Sequence, residues 1–348
     1  MTIILRQAYS LEQNNSAEKA NNPEPEQWQS LFANAITDPK LLFLKLALDP
    51  QQLPAAFQAS KDFSLRVPLP FLEKIKPGDP TDPLLLQILP VHQESEVTPG
   101  YSQDPLQEDE FSPAQGLLHK YEGRALLIVS PVCAVNCRYC FRRHFPYQEH
   151  QSSANKWQEA INYIRKTPSI NEIILSGGDP LAINNKRLQQ LILQLDNIPH
   201  LTRLRIHTRF PVVIPQRIDQ PLIQMLSQSR LQIVMVIHAN HGNELDSTLG
   251  ERLRELQSVG VTLLNQSVLL KSVNDNVDTL SQLSEELFKY NVLPYYLHIL
   301  DSVQGAAHFQ VSKQCAIKLM DGLRAKLPGY LVPRLVEEQA FAPNKVPV

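Results

Sequence analysis

The sequence predicts an α/β protein, a partial (βα)6 TIM-like barrel with an N-terminal helical and irregular cap. From Lys120 onward, six apolar strand candidates alternate with segments of helical period, as in βα units rather than hairpins. Cysteines and polar residues follow the predicted strands at their C-terminal ends, where such barrels carry their chemistry. A doubly wound sheet shows the same alternation and stays open as an alternative, because one sequence does not give strand order.

Composition excludes several classes of protein. The 348 residues are 43% apolar and 20% charged, and the net charge of −2 gives no bulk attraction to nucleic acid or to an anionic membrane. No apolar run approaches the ~20 residues that span a bilayer. We expect no secretory signal, because the apolar stretch within Met1–Arg6 is too short for one. Four cysteines, three of them clustered, do not make a disulfide framework, so we expect a reducing, cytoplasmic setting.

We expect three parts, at 1–115, 116–327 and 328–348. The first holds about half of the 27 prolines, a loose polar leader from Gln13 to Gln29, and two short helices between Trp28 and Leu48. We interpret it as a cap with no chemistry of its own. The last part should contain a C-terminal strand.

The middle part should contain the barrel. Its predicted strands are Ala125–Val129, Glu172–Ser176, Arg203–Thr208, Gln232–Ile237, Val261–Leu269 and Val292–Ile299. Its predicted helices are Asn155–Lys166, Lys186–Leu195, Pro221–Ser227, Thr248–Val259 and Thr279–Tyr290. One more helical stretch, Val311–Arg324, carries Cys315, which we expect to be buried or semi-buried.

A C-x3-C-x2-C triplet, Cys133, Cys137 and Cys140, follows the first predicted strand. Three thiolates this close can reach one face of a cubane iron–sulfur cluster. Most such clusters are bound by four cysteines, so with only three the fourth iron would stay open to a small molecule. A structural zinc site is an alternative, with His144 as the close candidate for a fourth ligand. Unconnected buried thiols are another.

With Tyr139 just before its third cysteine, the triplet resembles the signature of the radical S-adenosylmethionine (SAM) enzymes. In that family SAM binds the open iron. One electron from the reduced cluster then cleaves SAM and gives a 5′-deoxyadenosyl radical. Ser176-Gly177-Gly178-Asp179 is by itself a turn whose glycines allow close backbone approach to a ligand. After such a triplet it resembles the family's glycine-rich motif, which binds the methionyl amino group.

Several charged residues have two interpretations on sequence alone. Lys120 and Tyr121, with Arg124, could hold a phosphate or form a solvated basic edge. Arg142 could bind a carboxylate through its guanidinium group, or its charge could neutralise an iron–sulfur cluster. Lys345, near the C-terminus, would ordinarily be solvated.

From Tyr101 onward the chain resembles the lysine 2,3-aminomutases, which combine SAM, a [4Fe–4S] cluster and pyridoxal 5′-phosphate (PLP). It is most similar to a short branch of that family, in the runs Cys133–Tyr147, Asn265–Leu270 and Gln304–Phe309. The branch converts L-lysine to (R)-β-lysine, which a separate ligase attaches to translation elongation factor P. The resemblance therefore implies an isomerase that uses a SAM-derived radical and a PLP imine.

The resemblance also assigns residues. Lys345, in a Lys-x-Pro segment, would be the catalytic lysine that binds PLP, and Lys120, Tyr121 and Arg124 would hold PLP, although the first is usually Arg. Arg142 would bind the substrate carboxylate, and Asp301 with Glu338 the ε-ammonium; the clostridial type has Asp at the second position. The remaining positions would line the SAM and PLP pocket: Tyr139, Ser176, Gly177, Gly178, Asp179, His238 and Gln266.

The expected partners are L-lysine, a reductant protein such as flavodoxin or ferredoxin, the elongation factor P ligase through the pathway, and further copies of the chain in a homo-oligomer. Two alternatives to a lysine enzyme stay open. One is an aminomutase acting on another amino acid such as arginine. The other is a non-catalytic iron–sulfur or zinc-binding protein.

Overall fold

A computed structural model of the chain describes residues 27–146 and 157–348. Within these ranges the strands form one nine-stranded sheet, in which every strand pairs with its sequence neighbours. The strands are β1 (Leu117–Tyr121), β2 (Arg124–Ser130), β3 (Glu172–Gly177), β4 (Arg203–Thr208), β5 (Gln232–His238), β6 (Thr262–Val268), β7 (Leu293–His298), β8 (Arg334–Glu337) and β9 (Val346–Pro347).

Strand order decides between the two predicted architectures. Strands β2 to β8 are parallel and follow one another in chain order, whereas a doubly wound sheet reverses its order at a switch point. The prediction of a partial α/β barrel is thus confirmed. The six predicted barrel strands correspond to β2–β7, and the predicted C-terminal strand corresponds to β8. Strands β1 and β9 are antiparallel to their neighbours at the two edges.

Apart from one short helix after β4, which was not predicted, the barrel helices lie where the apolar periodicity predicts them. They are α6 (Trp157–Lys166), α7 (Asn185–Asp196), α8 (Phe210–Val213), α9 (Gln220–Gln228), α10 (Ser247–Ser258), α11 (Val277–Lys289) and α12 (Lys313–Lys326). The cap helices that precede them are α1 (Gln27–Ala33), α2 (Pro39–Lys45), α3 (Leu53–Asp62), α4 (Leu69–Leu72) and α5 (Pro83–Leu86). Side chains that accept a backbone N–H fix five of the helix starts. They are Asn184, Asp219, Asp246, Asn276 and Ser312. The predicted start of the first barrel helix, residues 155 and 156, lies outside the described residues.

Strand β1 was not predicted. It forms a hairpin with β2, with Leu117 opposite Leu127 and Tyr121 opposite Arg124. Only its first two residues are buried apolar ones, so its pattern is too short to read as a strand from sequence. Pairing with β2 therefore decides the conformation of Lys120 and Tyr121.

The cap packs on the barrel through aromatic side chains. Trp28 in α1 contacts the ring of Phe210 edge-on, with ring centroids 5.5 Å apart, and Phe32 lies at the same distance. The two predicted short helices are confirmed as α1 and α2. Of the predicted leader, residues 13–26 lie outside the described residues and Gln27–Gln29 begin α1. The three-part division of the chain stays a prediction.

Cys315 corrects one expectation, because it is exposed on α12. The buried face of that helix carries Ala316, Met320 and Leu323, and Cys315 lies off this apolar stripe. In the described part of the chain, none of the helices is both long and apolar enough to span a membrane.

Candidate active site

A cavity of about 350 Å³ opens at the C-terminal ends of the parallel strands. Every site residue that the sequence singled out lines it. They are Lys120, Tyr121, Arg124, Cys133, Cys137, Tyr139, Cys140, Arg142, Ser176, Gly177, Gly178, Asp179, His238, Gln266, Asp301, Glu338 and Lys345. Residues 225 positions apart along the chain thus meet in one space, because parallel strands bring their ends to the same edge.

The cysteine loop begins directly after β2. Ser130 Oγ accepts the N–H of Val132 at 3.1 Å, and the Cys140 N–H bonds to the Cys137 carbonyl at 3.1 Å, so the loop folds back on itself. The three cysteines carry free thiols. Burial, and then the neighbouring Cys137, raise the pKa of Cys140 to about 12, and burial also raises the pKa of Cys133. These thiols would ionise only beside a strong positive charge, and iron supplies one.

Acidic residues of the cap pair with the arginines of this loop. Arg138, whose side chain is fully buried, bonds to Glu94 Oε1 at 2.8 Å, and Arg143 bonds to Glu94 Oε2 at 2.7 Å. Arg142 pairs with Glu108. The cap therefore contributes Glu108 to the cavity wall, and its having no chemistry of its own stays a prediction. Sequence reasoning missed Glu94 and Glu108, because nothing in a proline-rich, irregular segment marks which acid will face a distant arginine.

The fork of Arg142 is occupied by a carboxylate. Its Nε and Nη2 donate to the two oxygens of Glu108 at 2.7 and 2.6 Å. Its Nη1 donates to Ser176 Oγ at 3.2 Å and to the Gly177 carbonyl at 3.3 Å. This is the paired planar geometry that arginine offers a carboxylate, and it links the cysteine loop to the glycine turn.

The glycine turn packs against the start of the cysteine loop. A Cβ on Gly177 would lie 2.5 Å from the Ser130 carbonyl oxygen, and one on Gly178 would lie 2.8 Å from backbone atoms of Pro131 and Val132. Gly177 also has a φ of +128°, which disfavours a side chain. The glycines are thus required by close approach of the protein's own backbone, and the turn still lines the cavity.

Asp179 anchors the end of β4. Its oxygens accept hydrogen bonds from the Thr208 hydroxyl at 2.7 Å and from the N–H groups of Leu181, Arg209 and Phe210 at 2.8 to 3.0 Å. Burial raises its pKa to about 6, against these hydrogen bonds, which lower it. Its contact with a methionyl amino group stays a prediction.

Glu338 connects the proposed PLP residues at the other end of the cavity. Lys345 Nζ donates to one of its oxygens at 2.6 Å, while Lys120 Nζ, at 2.9 Å, and the Tyr121 hydroxyl donate to the other. Burial works against ionisation, but Lys345, Tyr121 and Lys120 together hold the pKa of Glu338 at about 2. The guanidinium of Arg124 lies 4.2 Å from the centre of the Tyr121 ring.

Asp301 follows β7 and has a different environment. Burial raises its pKa to about 7; Lys345 lowers it and Glu338 raises it. The two acids that were predicted to bind one ammonium therefore differ: Glu338 is ionised at all ordinary pH values, whereas Asp301 titrates near neutrality.

Four side chains on strands of the cavity wall each bury a polar atom without a hydrogen-bond partner among the described residues: Nε2 of His207, His238 and His298, and Oε1 of Gln266. They come from four consecutive strands, β4 to β7. Buried polar atoms without a partner are costly, so they indicate a bound polar ligand. His207 and His298 were not among the predicted site residues.

Comparison with known proteins gives the family. A model described as the Radical SAM superfamily matches residues 127–268. L-lysine 2,3-aminomutase from Escherichia coli (strain K12) is 50% identical over 329 residues, which cover 94% of this chain and 96% of that one. The Haemophilus influenzae protein of the same name is 50% identical over 322 residues, covering 92% of this chain and 95% of that one.

A third protein named L-lysine 2,3-aminomutase, from Clostridium subterminale, is 35% identical over 322 residues, covering 92% of this chain and 77% of that one. Identity of this extent over nearly the whole chain leaves little of the barrel or the cavity outside the likeness. The chain therefore belongs to the lysine 2,3-aminomutase family of the Radical SAM superfamily.

Proposed function

We propose that this protein is an isomerase that moves the α-amino group of L-lysine to C3 and so produces β-lysine. The observation that carries the proposal is a single cavity with a cysteine triplet at one end and Lys345 at the other. Charged groups for both ends of a lysine molecule, Arg142, Asp301 and Glu338, lie in the same wall. The lysine aminomutase names of its relatives agree with this substrate.

Cys133, Cys137 and Cys140 would hold a [4Fe–4S] cluster, with SAM beside it. The donor set fits, since three thiols face one cavity, and burial raises the pKa of two of them, Cys133 and Cys140, so that they need a positive partner to ionise. Tyr139 and the turn Ser176–Asp179 line the same space and would contact SAM.

Lys345 would bind the PLP aldehyde carbon through Nζ, and Lys120, Tyr121 and Arg124 would hold the phosphate. The unpartnered atoms of His207, His238, Gln266 and His298 fit a polar ring system between the two ends. Glu338 contacts both lysines, and its low pKa keeps it ionised there. It would therefore position the PLP lysine as well as face the substrate.

When bound, the cluster and SAM supply a carbon radical strong enough to take hydrogen from C3, and PLP carries the nitrogen between carbons. The protein's own task is orientation. Arg142 would bind the substrate carboxylate in the position that the Glu108 carboxylate occupies in the structure, and Asp301 with Glu338 would pair with the ε-ammonium. An ammonium enclosed without a partner would cost several kcal/mol, so these acids also favour lysine over an uncharged side chain.

The finer parts of the proposal come from the resemblance to the short branch. They are the R form of the product, its use in modifying elongation factor P through a ligase, and electron supply by a protein such as flavodoxin or ferredoxin.

An anaerobic assay of the reconstituted protein tests the proposal. L-lysine, SAM and dithionite should give β-lysine, whose handedness is read after chiral derivatisation. The same assay with arginine tests the alternative substrate. Full loading with iron and PLP but no β-lysine would overturn the lysine assignment.

A further inference from the structure

The guanidinium of Arg209 lies directly beside the cysteine loop. Arg209 follows β4, is only 6% exposed, and its Nη1 donates to Cys137 Sγ at 2.8 Å and to the Tyr139 hydroxyl. Cys137, one of the proposed cluster ligands, thus has a guanidinium hydrogen-bonded to its sulfur.

Two further side chains, Glu244 and Gln87, fix this guanidinium in place. Its Nη2 donates to Glu244 Oε2 at 2.9 Å and to Gln87 Oε1 at 2.8 Å. Glu244 is itself fully buried and accepts the Asn240 N–H at 2.7 Å. Because cap and barrel both hold it, Arg209 cannot turn away from the sulfur without leaving buried groups unpaired.

A cation in this position changes the energy of adding an electron. Reduction makes the cluster and its thiolates more negative, and a positive donor at one sulfur stabilises the reduced form more than the oxidised form. Hydrogen bonds to the sulfurs and net local charge are among the factors that set iron–sulfur potentials. Glu244, on the other side of the guanidinium, carries the opposite charge and opposes part of this effect.

We infer that Arg209 raises the reduction potential of the cluster bound at Cys133, Cys137 and Cys140, and that Glu244 limits the increase. The electron comes from an external one-electron donor, and no bond is made or broken at Arg209. Arg209 is then a tuning residue that helps the donor reduce the cluster before SAM is cleaved. The inference rests on the proposed cluster, but not on the choice of lysine as substrate.

The alternative is that Arg209 and Glu244 only hold the loop in shape, and the two roles give different results. If the pair is structural, Arg209→Gln and Glu244→Gln should lower stability and leave the midpoint potential unchanged. If it tunes the cluster, Arg209→Gln should lower the potential and Glu244→Gln should raise it. Opposite shifts from the two halves of one ion pair do not follow from loosened packing.

The measurement is an anaerobic redox titration of the reconstituted protein, followed by electron paramagnetic resonance, without lysine or PLP. We expect each shift to be on the order of a tenfold change in the one-electron equilibrium constant, about 59 mV. Arg209→Lys keeps the charge but not the fork, so its shift should be smaller than that of Arg209→Gln. Arg217→Gln is the matched control, since Arg217 is equally buried but bonds to the carbonyls of Leu181 and Ile183.

The outcomes separate the inference from the proposed function. No cluster signal in the unsubstituted protein would mean that the proposed cluster is wrong. A normal signal with unchanged potentials in the Arg209 and Glu244 variants, or with shifts of one sign, would overturn the tuning role. If Arg209→Gln does not hold a cluster, Glu244→Gln and Arg209→Lys decide the matter by the sign and size of their shifts.

Discussion

The two ends of the cavity are built in different ways. At the cysteine end, the proposed metal ligands come from one eight-residue stretch, Cys133–Cys140, and the surrounding arginines are neutralised in buried pairs with Glu94, Glu108 and Glu244. At the Lys345 end, the charged residues come from four separate segments, and three donors converge on one carboxylate, Glu338.

This difference indicates how each end should respond to substitution. The cysteine end has its ligands in one loop and its charges balanced, so it should form whatever happens at Lys345. The Lys345 end depends on Glu338 and on Asp301, whose raised pKa leaves its charge sensitive to pH. Changes there should alter both PLP retention and substrate choice.

The largest expected effect is at the cysteine end. Replacing any one of Cys133, Cys137 or Cys140 by Ala should abolish SAM cleavage, because only two of the four irons would then have a protein ligand. PLP binding should survive. Iron content, SAM cleavage and PLP absorbance, measured after anaerobic reconstitution, check this, with Cys315→Ala as the control because that thiol is exposed on α12. A triplet variant that keeps its iron and still cleaves SAM would contradict the cluster assignment.

The corresponding experiment at the other end of the cavity replaces Lys345. Lys345→Ala should lose covalent PLP, tested by borohydride reduction and mass spectrometry, while its iron content stays unchanged. Lys313→Ala is the control, since Lys313 pairs with Glu337 outside the cavity wall. Covalent PLP persisting in Lys345→Ala would mean that another lysine is the anchor, and Lys120 would be the first to test.

Substrate choice should show an intermediate effect. Asp301→Asn should lower kcat/KM for lysine by the ~2–5 kcal/mol typical of breaking a buried charge pair, roughly 30- to 5,000-fold. Glu338→Asp should cost less, because the charge remains, whereas Glu338→Gln should also weaken PLP binding through Lys345 and Lys120. The measurement is the kcat/KM ratio of lysine to norleucine. An unchanged ratio in both Asp301→Asn and Glu338→Gln would mean that neither acid recognises the ε-amine.

The smallest effect concerns pH. Because the pKa of Asp301 is raised to about 7, its carboxyl is neutral below that pH and anionic above it. Thus kcat/KM for lysine, which reports ionisation in the free enzyme, should rise with pH through this region. Norleucine has the same α-amino group and no ε-ammonium, so its profile should lack this rise. A rise that persists in Asp301→Asn would assign it to another group.

Sequence patterns located strands β2–β7 of the barrel, and the site residues assigned from the sequence line the cavity. Strands β2–β7 are short apolar or alternating stretches, and such patterns are a local property of the sequence. β1 was missed because its strand character comes from pairing with β2. Cys315 was misjudged because a cysteine near the start of a helix gives little sign of which face it occupies.

The sequence alone determined the spacing of the triplet Cys133–Cys140 and of the glycine turn, because each is a short run along the chain, whereas the role proposed for Lys345 comes from the resemblance. Only the tertiary structure decided which acid faces each arginine: Glu108 with Arg142, Glu94 with Arg138, and Glu244 with Arg209. It also decided that Glu338 contacts Lys120 from 218 residues away. Charge pairing across a barrel leaves no periodic trace, since the partners are brought together by strand order and packing and not by their distance in sequence.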